Sequence, residues 1–197
     1  MLTFALAVFL LIVTPGPGVL SIAGVGAAYG FRAGLSYLIG LFIGTNLVAL
    51  AVISGLAAIV LGVPVIRMVL MAASIAYLLY LAAKIAFAGT KLAFIEARTA
   101  PGIAAGVMLQ AINPKAYAVN TAFYSGFPVY PDNFTTEVIA KLIVSNLIWI
   151  PIHLGWLWAG VALHRLNLPE ATQRRINYLM AAAMLGVVLL ALVSATR

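Results

Sequence analysis

Long apolar runs, separated by short polar or proline- and glycine-bearing breaks, make up nearly all of the 197-residue chain. The runs cover about Leu2 to Ala28, Ala33 to Ile66, Ile66 to Phe87, Ile103 to Val129, Val138 to Leu163 and Ile176 to Ala195. Most approach or exceed the ~20 residues that carry a helix across a bilayer. The second is too long for one crossing and needs a turn, for which Gly62-Val63-Pro64 is the available signal. Tyr29-Gly30-Phe31-Arg32 reads as the turn before it. The pattern predicts an all-α integral membrane protein with six transmembrane helices.

Two runs are broken near their middles. Thr14-Pro15-Gly16-Pro17-Gly18 interrupts the first, and Asn113-Pro114-Lys115 interrupts the fourth. Proline removes a helical hydrogen bond and clashes with the preceding turn. No Asp, Glu, Lys or Arg occurs from Thr99 to Pro114 or from Ala116 to Pro131, so Lys115 is alone in its run. A lysine at that depth costs on the order of a few kcal/mol in lipid. Broken helix and charge together are tolerated where they face protein or a water-filled cavity. The competing readings are a plain kink at Pro15 and a snorkelling lysine at a helix that ends near Ile112.

The two halves of the chain correspond. A shift of 99 lays Val13-Thr14-Pro15 over Ile112-Asn113-Pro114, and a shift of 100 lays Thr45-Asn46-Leu47-Val48 over Ser145-Asn146-Leu147-Ile148. Three spans per half make the repeats inverted, with residues 1–90 as the first, 91–102 as a cytoplasmic linker and 103–197 as the second. Paired Pro/Gly interruptions in two inverted halves point to a transporter site at the midplane. Gly30, Gly34, Gly40 and Gly44 allow close helix approach, within a protomer or between protomers.

Composition agrees: 65% of residues are hydrophobic and 8% charged, against about 25% charged in soluble domains. The absence of cysteine excludes disulfides and thiolate chemistry, and the scattered basic residues do not form a nucleic-acid face. The first run has no preceding Lys or Arg and no A-x-A-like cleavage site after it, so it reads as a retained span. Loops after spans one, three and five carry Arg32, Lys84, Lys91, Arg98, Arg165, Arg174 and Arg175; the opposite side carries Arg67, Lys141 and Arg197. The positive-inside rule then places both termini outside.

The N-terminal Pro15-Gly16-Pro17, the glycine spacing and Asn113-Pro114-Lys115-Ala116 in the fourth span resemble the LysE/RhtB family of amino-acid exporters. The resemblance implies export of amino acids or similar small metabolites, coupled to the proton gradient, from a bacterial inner membrane, often as a homodimer and without a cofactor. Where many members continue with a bulky apolar run, this chain reads Tyr117-Ala118-Val119-Asn120-Thr121. The four acids, Glu96, Asp132, Glu137 and Glu170, fall in or near loops, leaving no intramembrane carboxylate for a cationic substrate.

The expected substrate site is therefore Thr14, Pro15, Gly16, Pro17, Asn46, Asn113, Pro114, Lys115 and Asn146, with the Lys115 ammonium holding a substrate carboxylate. Asn46 and Asn146 serve equally well as packing around the breaks. His153, the one histidine inside a span, is a possible proton carrier. A hydrogen-bonded core histidine, or one near the interface beside Trp156 and Trp158, is the simpler reading. Tyr117 and Asn120 lie about a turn beyond the break and could line the cavity. A non-transporting scaffold needs neither the lysine nor the breaks. An intramembrane enzyme lacks a metal or carboxylate constellation, and Ser145 and His153 stand too far apart to pair.

Overall fold

The computed structural model describes residues 1–14, 16–56, 63–87, 99–166 and 169–195. Its elements are α1 (Leu2–Val13), α2 (Pro17–Ile53), α3 (Pro64–Ala86), α4 (Ile103–Ile112), α5 (Pro114–Gly126), α6 (Phe134–Arg165) and α7 (Glu170–Ala195). Among the described residues there is no strand. Pro15, Gly62, Lys91, Glu96, Arg98 and most of the expected linker lie outside them.

α2 is a hairpin of two helices rather than one rod. Gly30 has φ 78° and ψ −174°, the one non-helical residue within it. That positive φ is open to glycine at little cost and strained for other residues. The consequence is visible at Gly34: a methyl group added there would lie 3.6 Å from the Gly26 Cα. Eight residues along a straight helix would separate the two by about 12 Å. The Tyr29–Arg32 turn thus reduces to Gly30. The second run ends earlier than expected, at Ile53, where Ser54 caps the helix and Gly55 takes φ 76°. At the expected Gly62-Val63-Pro64 turn, Gly62 lies outside the described residues and Val63 is a bend. Val63 precedes α3, which starts at Pro64, a position where the missing N–H costs nothing.

The hairpin packs most extensively on α6 and α4, and α3 pairs with α7. The glycine face packs within the protomer. An added methyl would meet the Ile103 carbonyl oxygen at 2.1 Å from Gly40, the Tyr37 carbonyl oxygen at 2.4 Å from Gly106, and the Ala23 carbonyl oxygen at 2.1 Å from Gly160. Backbones approach this closely only where side chains are absent. The main core, with Ile22, Val25, Tyr37, Leu41, Leu109 and Leu157, fills the space between these contacts. Outward, large apolar side chains such as Leu2, Leu10, Leu147 and Trp158 are at least 60% exposed. Apolar exposure all along the helices suits a hydrocarbon solvent. By length and composition, Phe134–Ala162 and the apolar stretch Pro17–Ile53, here folded as the hairpin, are long and apolar enough to cross a membrane.

Lys141, counted among the three basic residues of the less basic side, lies in the second turn of α6, with its side chain 1% exposed and its ammonium 2.5 Å from Glu137. Glu137 in turn sits in the first turn of α6 and accepts hydrogen bonds from the backbone N–H groups of Val129 and Tyr130.

Candidate functional site

Both breaks are helix restarts. α1 ends at Thr14, with φ −58° and ψ 124°, and α2 begins at Pro17 behind an extended Gly16. α4 ends at Asn113, and α5 begins at Pro114. Each proline occupies the first position of its helix, where no hydrogen bond is lost. The Asn113 Oδ1 accepts from the Lys115 N–H at 3.1 Å, an N-cap, and its Nδ2 donates to Gln110 Oε1 at 3.1 Å. Tyr117 donates its hydroxyl to the Ala111 carbonyl at 2.8 Å, satisfying a carbonyl that the end of α4 leaves open. It therefore staples the break and is not on the cavity wall.

The two breaks meet at one atom pair. Lys115 Nζ donates to the Thr14 carbonyl oxygen at 2.7 Å. Its stem lies over Gly16, where an added methyl would stand 2.8 Å from Lys115 Cδ. A side chain at Gly16 would therefore displace the lysine from this path. One of three ammonium donors is used there.

Around this contact is a cavity with about 80 Å³ of room for the centres of water-sized molecules, several times the roughly 10–15 Å³ that one water needs. Thr14, Gly16, Asn46, Asn113, Lys115, Asn146 and His153 all line it. Pro17 and Pro114 do not, since they set the helix starts behind it. No Asp or Glu lines the wall, so Lys115 is its one lysine, arginine or carboxylate among the described residues. Asn120 lines it as well, with its Nδ2 on the Ala116 carbonyl at 2.8 Å.

Asn46 and Asn146 bond each other reciprocally: Nδ2 of Asn46 to Oδ1 of Asn146 at 3.1 Å, and the reverse at 2.9 Å. Much of their hydrogen-bonding capacity is spent on this pair, which joins α2 to α6. A double-mutant cycle with Asn46→Ala and Asn146→Ala is expected to return a coupling of about 0.6–1.7 kcal/mol in detergent unfolding, in the range of intramembrane side-chain hydrogen bonds. Additive single effects would remove the pair's structural role.

His153 is 4% exposed, and its Nδ1 stands 3.0 Å from the Trp149 carbonyl oxygen. A carbonyl can only accept, so Nδ1 carries the proton and a neutral ring keeps its lone pair at Nε2. Trp149 stacks on the ring, with centroids 3.6 Å apart and planes 14° apart, and Phe42 meets Trp149 edge-on at 5.7 Å. Trp158 faces outward, and Trp156 packs partly buried against the core. Tyr124 Oη and Ser145 Oγ are buried near-neighbours on the wall, and neither makes a geometrically sound hydrogen bond.

Gln110, Trp149, Thr45, Phe123 and Tyr124 are wall residues that the sequence did not single out. Gln110 carried a signal, being a polar residue one turn before Asn113 in an apolar helix. The aromatic residues carried none, because apolar side chains look alike on lipid and cavity faces.

Broken helices around a polar, acid-free cavity, with an apolar exterior, define a helical membrane protein. The family model for the LysE type translocator matches residues 9–195, and the chain belongs to that family. Its class is therefore transport across a membrane, with a small molecule as cargo. Neither the curated proteins nor the solved structures returned a match.

Proposed function

We propose that the protein is a secondary transporter that exports neutral or acidic amino acids, or related small carboxylates, by alternating access at the cavity around Lys115. The observation that carries this reading is the Lys115–Thr14 hydrogen bond, which ties the two breaks together in one cavity. A substrate carboxylate offers the ammonium a charged partner in place of a neutral carbonyl, a stronger hydrogen bond. The N-termini of α2 and α5 bring positive dipole ends to the same place. Thr14, Gly16 and Asn113 supply the surrounding polar atoms, with Asn46 and Asn146 closing the far wall.

The reading includes six spans in two inverted repeats: residues 2–29 (broken), 31–53 and 64–86, then 103–126 (broken), 134–165 and 170–195. The shift of 100 that relates Asn46 to Asn146, in contact with each other, supports a pseudo-two-fold axis through that pair. The basic loops support both termini outside a bacterial inner membrane. The reading extends to a homodimer and to proton coupling, with His153 Nε2 as the proton acceptor.

Uptake of radiolabelled amino acids into everted, energised vesicles tests this. Neutral or acidic amino acids are expected to accumulate, and lysine and arginine are not. Preferential accumulation of the dibasic pair would overturn the role of an acid-free, lysine-bearing wall. In the same vesicles His153→Gln is expected to abolish accumulation while leaving substrate exchange; unchanged accumulation would remove the proton role.

A further inference from the structure

The two ends of the cavity are built differently. Beyond His153, one end is closed by backbone against backbone. A methyl at Gly26 would meet the Leu157 carbonyl oxygen at 2.9 Å, and one at Gly44 would meet the Val107 Cα at 3.1 Å, in line with the still tighter Gly40 and Gly160. At a shift of 100, the opposite end has Ala140 for Gly40, Val144 for Gly44 and Leu6 in place of Gly106. Gly126, the counterpart of Gly26, has nothing within 4 Å of an added methyl. Backbone-to-backbone approach of the kind seen at the glycine end is not favoured by these larger residues.

That opposite end, under the loop of residues 127–133, is closed by rings. Phe4 of α1 is 1% exposed and meets Phe123 edge-on at 5.7 Å and Phe127 at 6.1 Å. Phe123 also lines the cavity. Beneath Phe4 lies Lys141 Nζ, 5.6 Å from the ring centroid. The polar contacts all fall on one side of this seam. Lys141 pairs with Glu137 within α6, and Glu137 holds the loop through Val129 and Tyr130. α1 is joined to the cluster by ring and apolar contacts. It can leave without orphaning a buried polar group, and Thr14 and Gly16, which flank its C-terminal end, are already outside the helix.

We infer that Phe4, Phe123 and Phe127, seated on the Glu137–Lys141 pair, form the gate of the cavity on the side of the 127–133 loop. It opens when α1 swings off Phe123 while the glycine-packed end stays shut. The inference rests on the transporter reading of the cavity, and its test needs no transported substrate.

The chain has no cysteine, so a single Thr45→Cys on the cavity wall reports access. Its labelling by a membrane-impermeant maleimide is followed from each side of sealed vesicles. An Asp132→Cys reference, in the 127–133 loop, identifies the gate side. Phe4→Ala and Lys141→Met are each expected to raise Thr45→Cys labelling several-fold from the loop side and to leave it at the parent level from the other. Glu137→Gln, which keeps an acceptor for the loop amides, gives a smaller rise in the same direction. Labelling unchanged from the loop side, or raised equally from both sides as in a loosened fold, overturns the gate. Vesicles that accumulate no amino acid yet show the one-sided rise would remove the transport reading and keep the gate.

Discussion

Lys115→Ala is expected to lower the initial rate of energised amino-acid accumulation in everted vesicles by more than about tenfold at matched expression. The substitution removes two things at once: the proposed partner of the substrate carboxylate and the donor that holds the Thr14 carbonyl across the break. Truncating one member of a desolvated charge pair costs about 2 kcal/mol or more. Lys115 is half-buried, so the lower end applies, which is still roughly thirtyfold in kcat/KM. Folding is expected to survive, because Asn113 caps α5 through the Lys115 backbone N–H, which alanine retains. Lys115→Arg separates charge from shape: its longer, planar head does not fit over Gly16 as the lysine stem does, so a partial loss is expected. Accumulation by Lys115→Ala at the wild-type rate would remove the lysine from the site. Loss of both transport and of monodisperse protein would make it a fold residue instead.

Why this site could be read before the fold was seen is a matter of cost. Proline inside an apolar run and a lone lysine far from other charge are both expensive in hydrocarbon, so their coincidence at Pro114 and Lys115 carries information. The repetition of the break at Thr14 doubles it. Asn46 and Asn146 stood out for the same reason. Residues that cost nothing were silent: Trp149, Phe123 and Tyr124 face the cavity, but their types suit lipid equally well. The burial of Lys141 was silent in the sequence, because a Glu four residues before a Lys also describes an exposed helix pair. Its burial follows from the seat under Phe4, a contact across 137 positions of sequence that no local pattern encodes. The end of α2 was missed because Ala51 to Leu61 is almost uniformly apolar, and hydropathy does not mark the turn at Gly55 within it.

The glycine seam gives the largest expected loss of stability. Gly40→Ala places a methyl 2.1 Å from the Ile103 carbonyl oxygen and 2.8 Å from its carbon, and Gly106→Ala places one 2.6 Å from the Leu41 nitrogen. These neighbours are backbone, so no rotamer change relieves the overlap, and α4 must move off the hairpin. Overpacking of this kind costs about 1–3 kcal/mol per site, occasionally more. The two sites face each other across one contact, so the double variant is expected to fall short of the sum. Gly155 and Gly186 are the controls, helical glycines with open space where a side chain would go. Alanine there removes the helix penalty of glycine, worth up to about 1 kcal/mol, with no clash to offset it. Thermal unfolding in detergent is expected to show lowered midpoints for Gly40→Ala and Gly106→Ala and unchanged or raised midpoints for Gly155→Ala and Gly186→Ala. The seam also bears on the direction of movement. If the glycine-packed end is the one that stays shut while the aromatic end opens, Gly40→Ala should raise Thr45→Cys labelling from the side away from the 127–133 loop, opposite to Phe4→Ala. Equal midpoints across all four variants would mean that α4 and the hairpin do not touch as described, and the closed end would lose its physical basis.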